Sequence, residues 1–228
     1  SGTGTNFSNL RGEGEKLSGG GRSSGLMSWL RIGDRAASAI KSGGTTRRAA
    51  KMVVIDADHP EILEFIRWKM IEERKARVLL ANGYQCGMEG EAFRTVSGQN
   101  SNNSVRVTDE FLNRATSGGD WTLKARVGGQ ETKRLPAQEI LHEMARAAWE
   151  CADPGIQYHD TIQKWHICPN DGPIRASNPC SEYMFLDNSA CNLASLNLAA
   201  FLTPDAKDLD WPSFRQAVQI MLLGQEIL

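Results

Sequence analysis

Met52-Val53-Val54-Ile55-Asp56-Ala57-Asp58-His59-Pro60 is the stretch on which the fold turns. Four consecutive apolar residues suit a strand buried on both faces, because successive side chains leave a strand in opposite directions. Asp58 and Pro60 then open a helix, one as a cap and the other by presetting the first turn. Ile62, Leu63, Phe65, Ile66, Met70 and Ile71 form its apolar face, and residues 72–75 read as a solvated end. A buried strand running directly into an amphipathic helix is the repeating unit of an α/β fold.

The same alternation extends outward. Upstream, Leu26, Trp29, Leu30, Ile32, Ala36, Ala37 and Ile40 recur at three- and four-residue steps and predict a helix over 24–42, stopped by Gly43-Gly44. Residues 1–23 carry seven glycines and little apolar content, and read as a loop able to wrap a phosphate. Downstream, the Asn-rich run 99–104 leads into a short strand, Val105-Arg106-Val107, and Thr108-Asp109-Glu110 caps a helix beginning near Phe111. Residues 121–127 alternate like another strand. Pro136 starts a helix with Ile140, Leu141, Met144, Ala145 and Ala148 on one face, ended by Asp153-Pro154-Gly155. A polar and aromatic loop spans 157–176, a strand covers 182–186, an apolar segment of undecided type covers 193–202, and Asp210-Trp211-Pro212 opens the last helix. No repeat of 20 to 50 residues is visible, which excludes a solenoid. The fold class is mixed α/β.

Composition excludes several functions. With 228 residues, 40% of them hydrophobic, the chain can bury a sizeable core. Lys plus Arg number 26 against 27 Asp plus Glu, so the net charge of -1 offers no general attraction for a polyanion or membrane, and a nucleotide site has to be local. No run is long and apolar enough to span a bilayer, and a leader pattern is missing at the amino end, so a cytoplasmic protein with no membrane partner is expected. Ser1 in place of a start methionine, and an apparent helix cut at Leu228, suggest a fragment.

Five cysteines (86, 151, 168, 180 and 191) form no CxxC pair, which argues against a disulfide scaffold and for a catalytic role if any is redox active. His159, His166 and Cys168 fit no usual zinc spacing, so no metal ligand is assigned. His59 and His142 read as helix-start and helix-surface residues. In Ser177-Asn178-Pro179-Cys180-Ser181-Glu182 an amide, a thiol and a carboxylate occupy alternate positions, with Pro179 restricting Asn178. In an extended backbone the three share one face, a constellation suited to chemistry on a hydroxyl-bearing substrate. Spacing alone also accommodates a loop cysteine beside a capping Asn and a surface Glu. Cys191, eleven residues on, is by itself equally consistent with a small buried hydrophobe.

These segments, together with Ser1-Gly2-Thr3-Gly4-Thr5-Asn6, Gly19-Gly20-Gly21-Arg22-Ser23-Ser24-Gly25, Ser42-Gly43-Gly44-Thr45-Thr46-Arg47-Arg48-Ala49-Ala50-Lys51-Met52 and residues 98–107, resemble the adenosylcobalamin-dependent, class II ribonucleotide reductases, in the branch assigned to ribonucleoside diphosphates. The resemblance implies that 1–228 is part of the ten-stranded α/β catalytic barrel. It implies that Cys180 bears a thiyl radical that removes the ribose 3′-hydrogen, that Glu182 takes the 3′-hydroxyl proton, and that Asn178 holds the hydroxyls. Cys191 would be one of two thiols that supply reducing equivalents, its partner lying upstream. Gly2 would border the substrate together with Asn178, Pro179, Cys180, Ser181 and Glu182. Arg11 and Lys16 would hold the phosphates of a deoxynucleoside triphosphate or ATP effector, and Gly43, Gly44, Thr45, Thr46, Arg47 and Arg48 would form the specificity loop between effector and substrate. The implied cofactor is adenosylcobalamin. The implied partners are a ribonucleoside diphosphate, a thioredoxin-like reductant acting through a carboxy-terminal region, and a second copy in a homodimer. The class I diiron or dimanganese reductases, which share the barrel and the Asn-x-Cys-x-Glu pattern, and a noncatalytic nucleotide-binding module are the alternatives.

Overall fold

The computed structural model describes residues 2–42, 47–48, 50–87 and 90–227, with the backbone alone at 41–42 and 47–48. It divides into two compact units, Ser1–Asp187 and Asn188–Leu228. In chain order the first unit begins with β1 (Gly2–Asn6), α1 (Leu26–Ala39), the short strands β2 (Lys41–Ser42) and β3 (Arg47–Arg48), β4 (Ala50–Asp56) and α2 (Ile62–Ala81). It continues with α3 (Glu91–Thr95), β5 (Asn102–Val107), α4 (Asp109–Ser117), β6 (Asp120–Lys124), β7 (Glu131–Pro136), α5 (Ala137–Cys151), β8 (Gly155–Tyr158) and α6 (His159–Lys164). It closes with β9 (Ala176–Ser177) and β10 (Met184–Phe185).

Four strands make a parallel sheet in the order β1-β4-β5-β8, as expected for strands separated by helices. The 52–55 run is its buried centre, each residue 3% exposed or less. Val53, Ile55, Val105 and Val107 point to one face, where Leu26 and Leu30 of α1, Phe65 and Ile66 of α2, Phe111 of α4, and Ile140 and Met144 of α5 complete the main core. The opposite face is built differently. Strand register aligns Gly2, Gly4 and Asn6 of β1 with Ala50, Met52 and Val54 of β4, Met52, Val54 and Asp56 of β4 with Asn102, Ser104 and Arg106 of β5, and Ser104 and Arg106 with Gly155 and Gln157 of β8. Only Met52, Val54 and Ala176 form an apolar cluster there. The sheet therefore has a greasy side, which stabilises it, and a polar side of small and hydrogen-bonding residues.

Several expectations change. The glycine-rich 1–23 segment contains β1, which lacks any hydrophobic alternation because Gly2 and Gly4 leave room for the Pro179 ring and the Ser177 backbone to lie against it. Asn102, Asn103 and Ser104 lie inside β5 and not in a preceding loop. The helix over 24–42 is shorter, and Trp29, Ile32 and Ile40 are 55%, 62% and 57% exposed, so its buried stripe is instead Leu26, Met27, Leu30, Asp34 and Ala37. Asp58 does not cap α2; it pairs with Arg126 at 3.1 Å, and the helix begins at Ile62. Nor does α2 end at 72–75: Glu72 is buried, holding Lys75 and the Ser97 N–H, and the helix continues to Ala81. Thr108 does cap α4, accepting from the Phe111 N–H. β7 and β8 were hidden, the first by its charged sequence and the second by its shortness. The strand expected over 182–186 is reduced to Met184–Phe185.

His59 stands just ahead of α2, as expected, and is fully buried. Its Nδ1 lies 3.0 Å from the Glu61 N–H and its Nε2 2.9 Å from the Leu10 carbonyl. The first group only donates and the second only accepts, so the ring is neutral with its proton on Nε2. Burial lowers its pKa, partly countered by the bond to Leu10. Because the folded state takes up the proton less readily than the unfolded chain, this contribution is complete above the ordinary histidine value of about 6.5 and is lost as pH falls below it. The unfolding midpoint is therefore expected to drop between pH 7 and 5. A His59→Gln variant, less stable at pH 7, should show a shallower drop when thermal melts are compared across that range.

The second unit contains a 3-10 turn, Leu198–Phe201, where the segment of undecided type was noted, and α7 (Trp211–Ile227). Asp210 opens α7 as expected, accepting from the Ser213 N–H at 3.3 Å and its hydroxyl at 2.6 Å. No described helix is long and apolar enough to cross a membrane.

Candidate active site

Antiparallel β9 and β10 pair Ser177 with Met184 and Ala176 with Phe185, and residues 178–183 form the turn between them. The Asn178 N–H donates to the Tyr183 carbonyl at 3.2 Å, and the Tyr183 N–H donates to Asn178 Oδ1 at 3.0 Å. The Ser181 N–H reaches the Asn178 carbonyl at 3.0 Å, with Ser181 in the left-handed region at φ 63°. Asn178, Cys180 and Glu182 therefore do not alternate along an extended strand, as the sequence pattern suggested. They surround a tight turn, with Cys180 and Glu182 exposed and Pro179 buried.

Glycine explains how this turn reaches the sheet. A Cβ on Gly4 would lie 1.6 Å from the Ser177 carbonyl oxygen, and one on Gly2 would lie 2.7 Å from Pro179 Cγ. The backbone leading into the turn thus lies directly on β1, closer than any side chain allows. Asn102 Nδ2 donates to the Pro179 carbonyl at 2.7 Å, fixing the residue just before Cys180. Gly2 and Asn102 are the first residues of their strands, so the turn sits over the amino ends of β1 and β5. At the other end of β1, Asn6 Nδ2 donates to the Arg175 carbonyl at 3.2 Å.

Beneath the turn, Arg106, Gln157 and Ser177 are 4%, 2% and 5% exposed. Arg106 Nη1 donates to Gln157 Oε1 at 3.3 Å, Gln157 Nε2 donates to Ser177 Oγ at 2.9 Å, and Ser177 Oγ donates to the Asn178 carbonyl at 2.9 Å. Burial lowers the Arg106 pKa, opposed by Asp56 and Asp160. Sequence reading missed this row, although Asn102, Ser104 and Arg106 alternate in the strand period; the signal was polar, and apolar alternation was sought. A cavity of about 400 Å³ lies at the carboxyl ends of the strands, lined by Asn6, Asp56, Arg106, Trp121, His159 and Arg175. Open α/β sheets commonly take ligands at that end, whereas the turn carrying Cys180 sits over the opposite one.

A family model described as "Ribonucleotide reductase, barrel domain" matches residues 1–228. The chain belongs to the ribonucleotide reductase barrel-domain family. Among its relatives, the vitamin B12-dependent ribonucleotide reductase of Agrobacterium fabrum is 44% identical over 295 residues, covering 100% of this chain and 23% of the relative. The protein of the same name from Streptomyces clavuligerus is 49% identical over 230 residues, covering 100% and 24%. The vitamin B12-dependent ribonucleoside-diphosphate reductase of Mycobacterium tuberculosis is 36% identical over 210 residues, covering 92% and 27%. The chain spans about a quarter of the length of the curated relatives it matches.

Within this ribonucleotide reductase barrel segment, the structure brings Gly2, Asn178, Pro179, Cys180, Ser181 and Glu182 together. Cys191 is exposed and belongs to the second unit. Arg11 and Lys16 sit in the ordered loop after β1, where Lys16 bridges Arg22 and the Ser23 N–H donates to the Glu15 carbonyl at 2.8 Å. Lys16 is exposed; Arg11 Nε is buried and lacks a hydrogen-bond partner among the described residues. Gly43, Gly44, Thr45 and Thr46 lie outside the described residues, and Arg47 and Arg48 pair as backbone with Ser42 and Lys41.

Proposed function

We propose that this chain is part of the catalytic barrel of an adenosylcobalamin-dependent enzyme that reduces ribonucleoside diphosphates to 2′-deoxyribonucleotides, both compact units belonging to that barrel. The observation that carries the reading is an exposed thiol, Cys180, at the apex of a turn clamped onto a polar sheet face by Gly2, Gly4 and Asn102. The names of the relatives support the cofactor, and the name of the Mycobacterium tuberculosis relative supports the diphosphate level. An exposed thiol also fits a bulky cofactor, which needs open access to the sulfur.

Adenosylcobalamin, when bound, supplies the radical equivalent that converts the Cys180 thiol to a thiyl. Cys180 then takes the 3′-hydrogen of the ribose, while Glu182 accepts the proton of the 3′-hydroxyl. Asn178 has its amide oxygen engaged by the Tyr183 N–H, so its carboxamide nitrogen is the donor that holds the hydroxyls. As the 2′-hydroxyl departs as water, Cys191 and a second thiol give up two electrons and two protons and become a disulfide. Glu182 returns its proton to the 3′-oxygen, and Cys180 returns hydrogen to C3′, which restores the thiyl for the next abstraction. A thioredoxin-like reductant reopens the disulfide.

Arg11 and Lys16 bind the phosphates of a deoxynucleoside triphosphate or ATP effector, and residues 43–48 relay the identity of that effector in a homodimer. Coupling of this kind requires the loop to favour different conformations with different effectors. The test is turnover of the full-length protein with adenosylcobalamin, a dithiol and either CDP or CTP, with no second subunit added. Deoxycytidine diphosphate from CDP is expected. Dependence on a metal-radical subunit rejects the cobalamin assignment, and reduction of CTP alone rejects the diphosphate level.

A further inference from the structure

We infer that Gln157, acting through Ser177, is a positioning residue that sets the backbone of the turn carrying Cys180; this rests on the reading of Cys180 as the radical thiol. The argument is one of hydrogen-bond direction. Arg106 has only donors, and burial leaves it no water to satisfy. It faces Gln157 Oε1 at 3.3 Å, which turns the Gln157 amide nitrogen toward Ser177 Oγ at 2.9 Å. Ser177 therefore receives a proton from Gln157 and has one hydroxyl proton of its own to place. That proton points to the Asn178 carbonyl at 2.9 Å, and Ser181 Oγ, 3.3 Å away, becomes a donor into Ser177. One buried guanidinium thus dictates the polarity of each bond up to the Asn178 carbonyl and the Ser181 hydroxyl, on either side of Pro179-Cys180.

Ser177 cannot compensate by moving, because its carbonyl is pressed onto Gly4 and the Pro179 carbonyl is held by Asn102. Ser181 adopts its left-handed conformation at the far side of the same turn. Such a conformation is uncommon for a non-glycine residue and persists where surrounding bonds determine it. The Ser177 hydroxyl links the entry and the exit of the turn, so its proton position governs how Cys180 is aimed. Hydrogen abstraction by a thiyl is steeply sensitive to that aim, since displacing a reacting group by about 1 Å costs on the order of 100-fold in rate.

Gln157→Glu tests the idea with almost no change in volume. A carboxylate there still pairs with Arg106 but accepts the Ser177 proton instead of donating, which removes the Ser177 bond from the Asn178 carbonyl and leaves it the Ser181 N–H. In the full-length protein kcat is expected to fall about 10- to 100-fold, with KM within about threefold and the unfolding midpoint within about 3 °C of the parent. Ser177→Ala, which deletes the proton outright, should show the same kcat-selected loss. Parental kcat in Gln157→Glu, beside an inactive Cys180→Ser, overturns the positioning role alone. A loss of kcat matched by an equal loss of folded protein also overturns it, assigning Gln157 to stability. Turnover by Cys180→Ser overturns the radical-thiol reading and this role with it.

Discussion

Cys180→Ser in the full-length protein is expected to lower deoxynucleotide formation by on the order of 10⁴ or more, the scale seen when the reacting group of an interdependent constellation is removed. Serine is nearly isosteric and keeps a hydrogen-bonding group, but its O–H bond is far stronger than the S–H bond, so no hydrogen-abstracting radical forms there. The fold should not register the change. Cys180 is exposed, and substitutions at such positions usually stay within about 0.5 kcal/mol. Binding of dATP or dTTP, followed by calorimetry, should likewise match the parent, because the loop carrying Arg11 and Lys16 follows the carboxyl end of β1 while the turn sits over the amino end. Residual turnover near the parental rate places the chemistry elsewhere.

Gly4→Ala is expected to produce the second large effect, this time through backbone contact. The added methyl would fall 1.6 Å from the Ser177 carbonyl oxygen and 2.7 Å from its carbonyl carbon. Both are main-chain atoms, so no rotamer change relieves the overlap and either β1 or the turn has to move. Overpacking of this kind costs about 1 to 3 kcal/mol, and more where nothing yields. A fall of several degrees in the unfolding midpoint should accompany a loss of at least about 100-fold in kcat. Gly2→Ala should be milder, since its methyl meets the Pro179 ring, whose pucker can give, at 2.7 and 3.0 Å. Equal effects at the two positions in melts and turnover contradict this graded account.

Legibility of the sequence followed the physics of each face. The α/β alternation was readable from Met52, Val53, Val54 and Ile55 and from the caps at Thr108 and Asp210, because burial and orphan backbone groups demand particular residue types locally. β1 was unreadable for the opposite reason: Gly2, Thr3, Gly4, Thr5 and Asn6 answer to a segment nearly the whole unit away in sequence, and no local pattern records that. Asn178, Cys180 and Glu182 were recognisable as a constellation, yet the geometry inferred from period-two alternation was wrong, since hydrogen bonds between Asn178 and Tyr183 curl the backbone into a turn. Gln157 and Ser177 carried no signal, being single polar residues whose value comes from what Arg106 forces on them. His59 was readable as a helix-start residue, but its burial was not, because that depends on the distant Leu10 carbonyl.

The union of β1 with the segment entering the Cys180 turn spans 169 residues between Asn6 and Arg175. Closing so long a separation is entropically late, because nearer pairings such as β4 with β5 repay their ordering first. A nascent or partly folded chain therefore carries a thiol with no fixed orientation, and an oriented one exists only after the sheet beneath it is complete. Assembly order thus acts as a safeguard: the thiol proposed to hold an unpaired electron is aimed only once the scaffold able to direct it has formed.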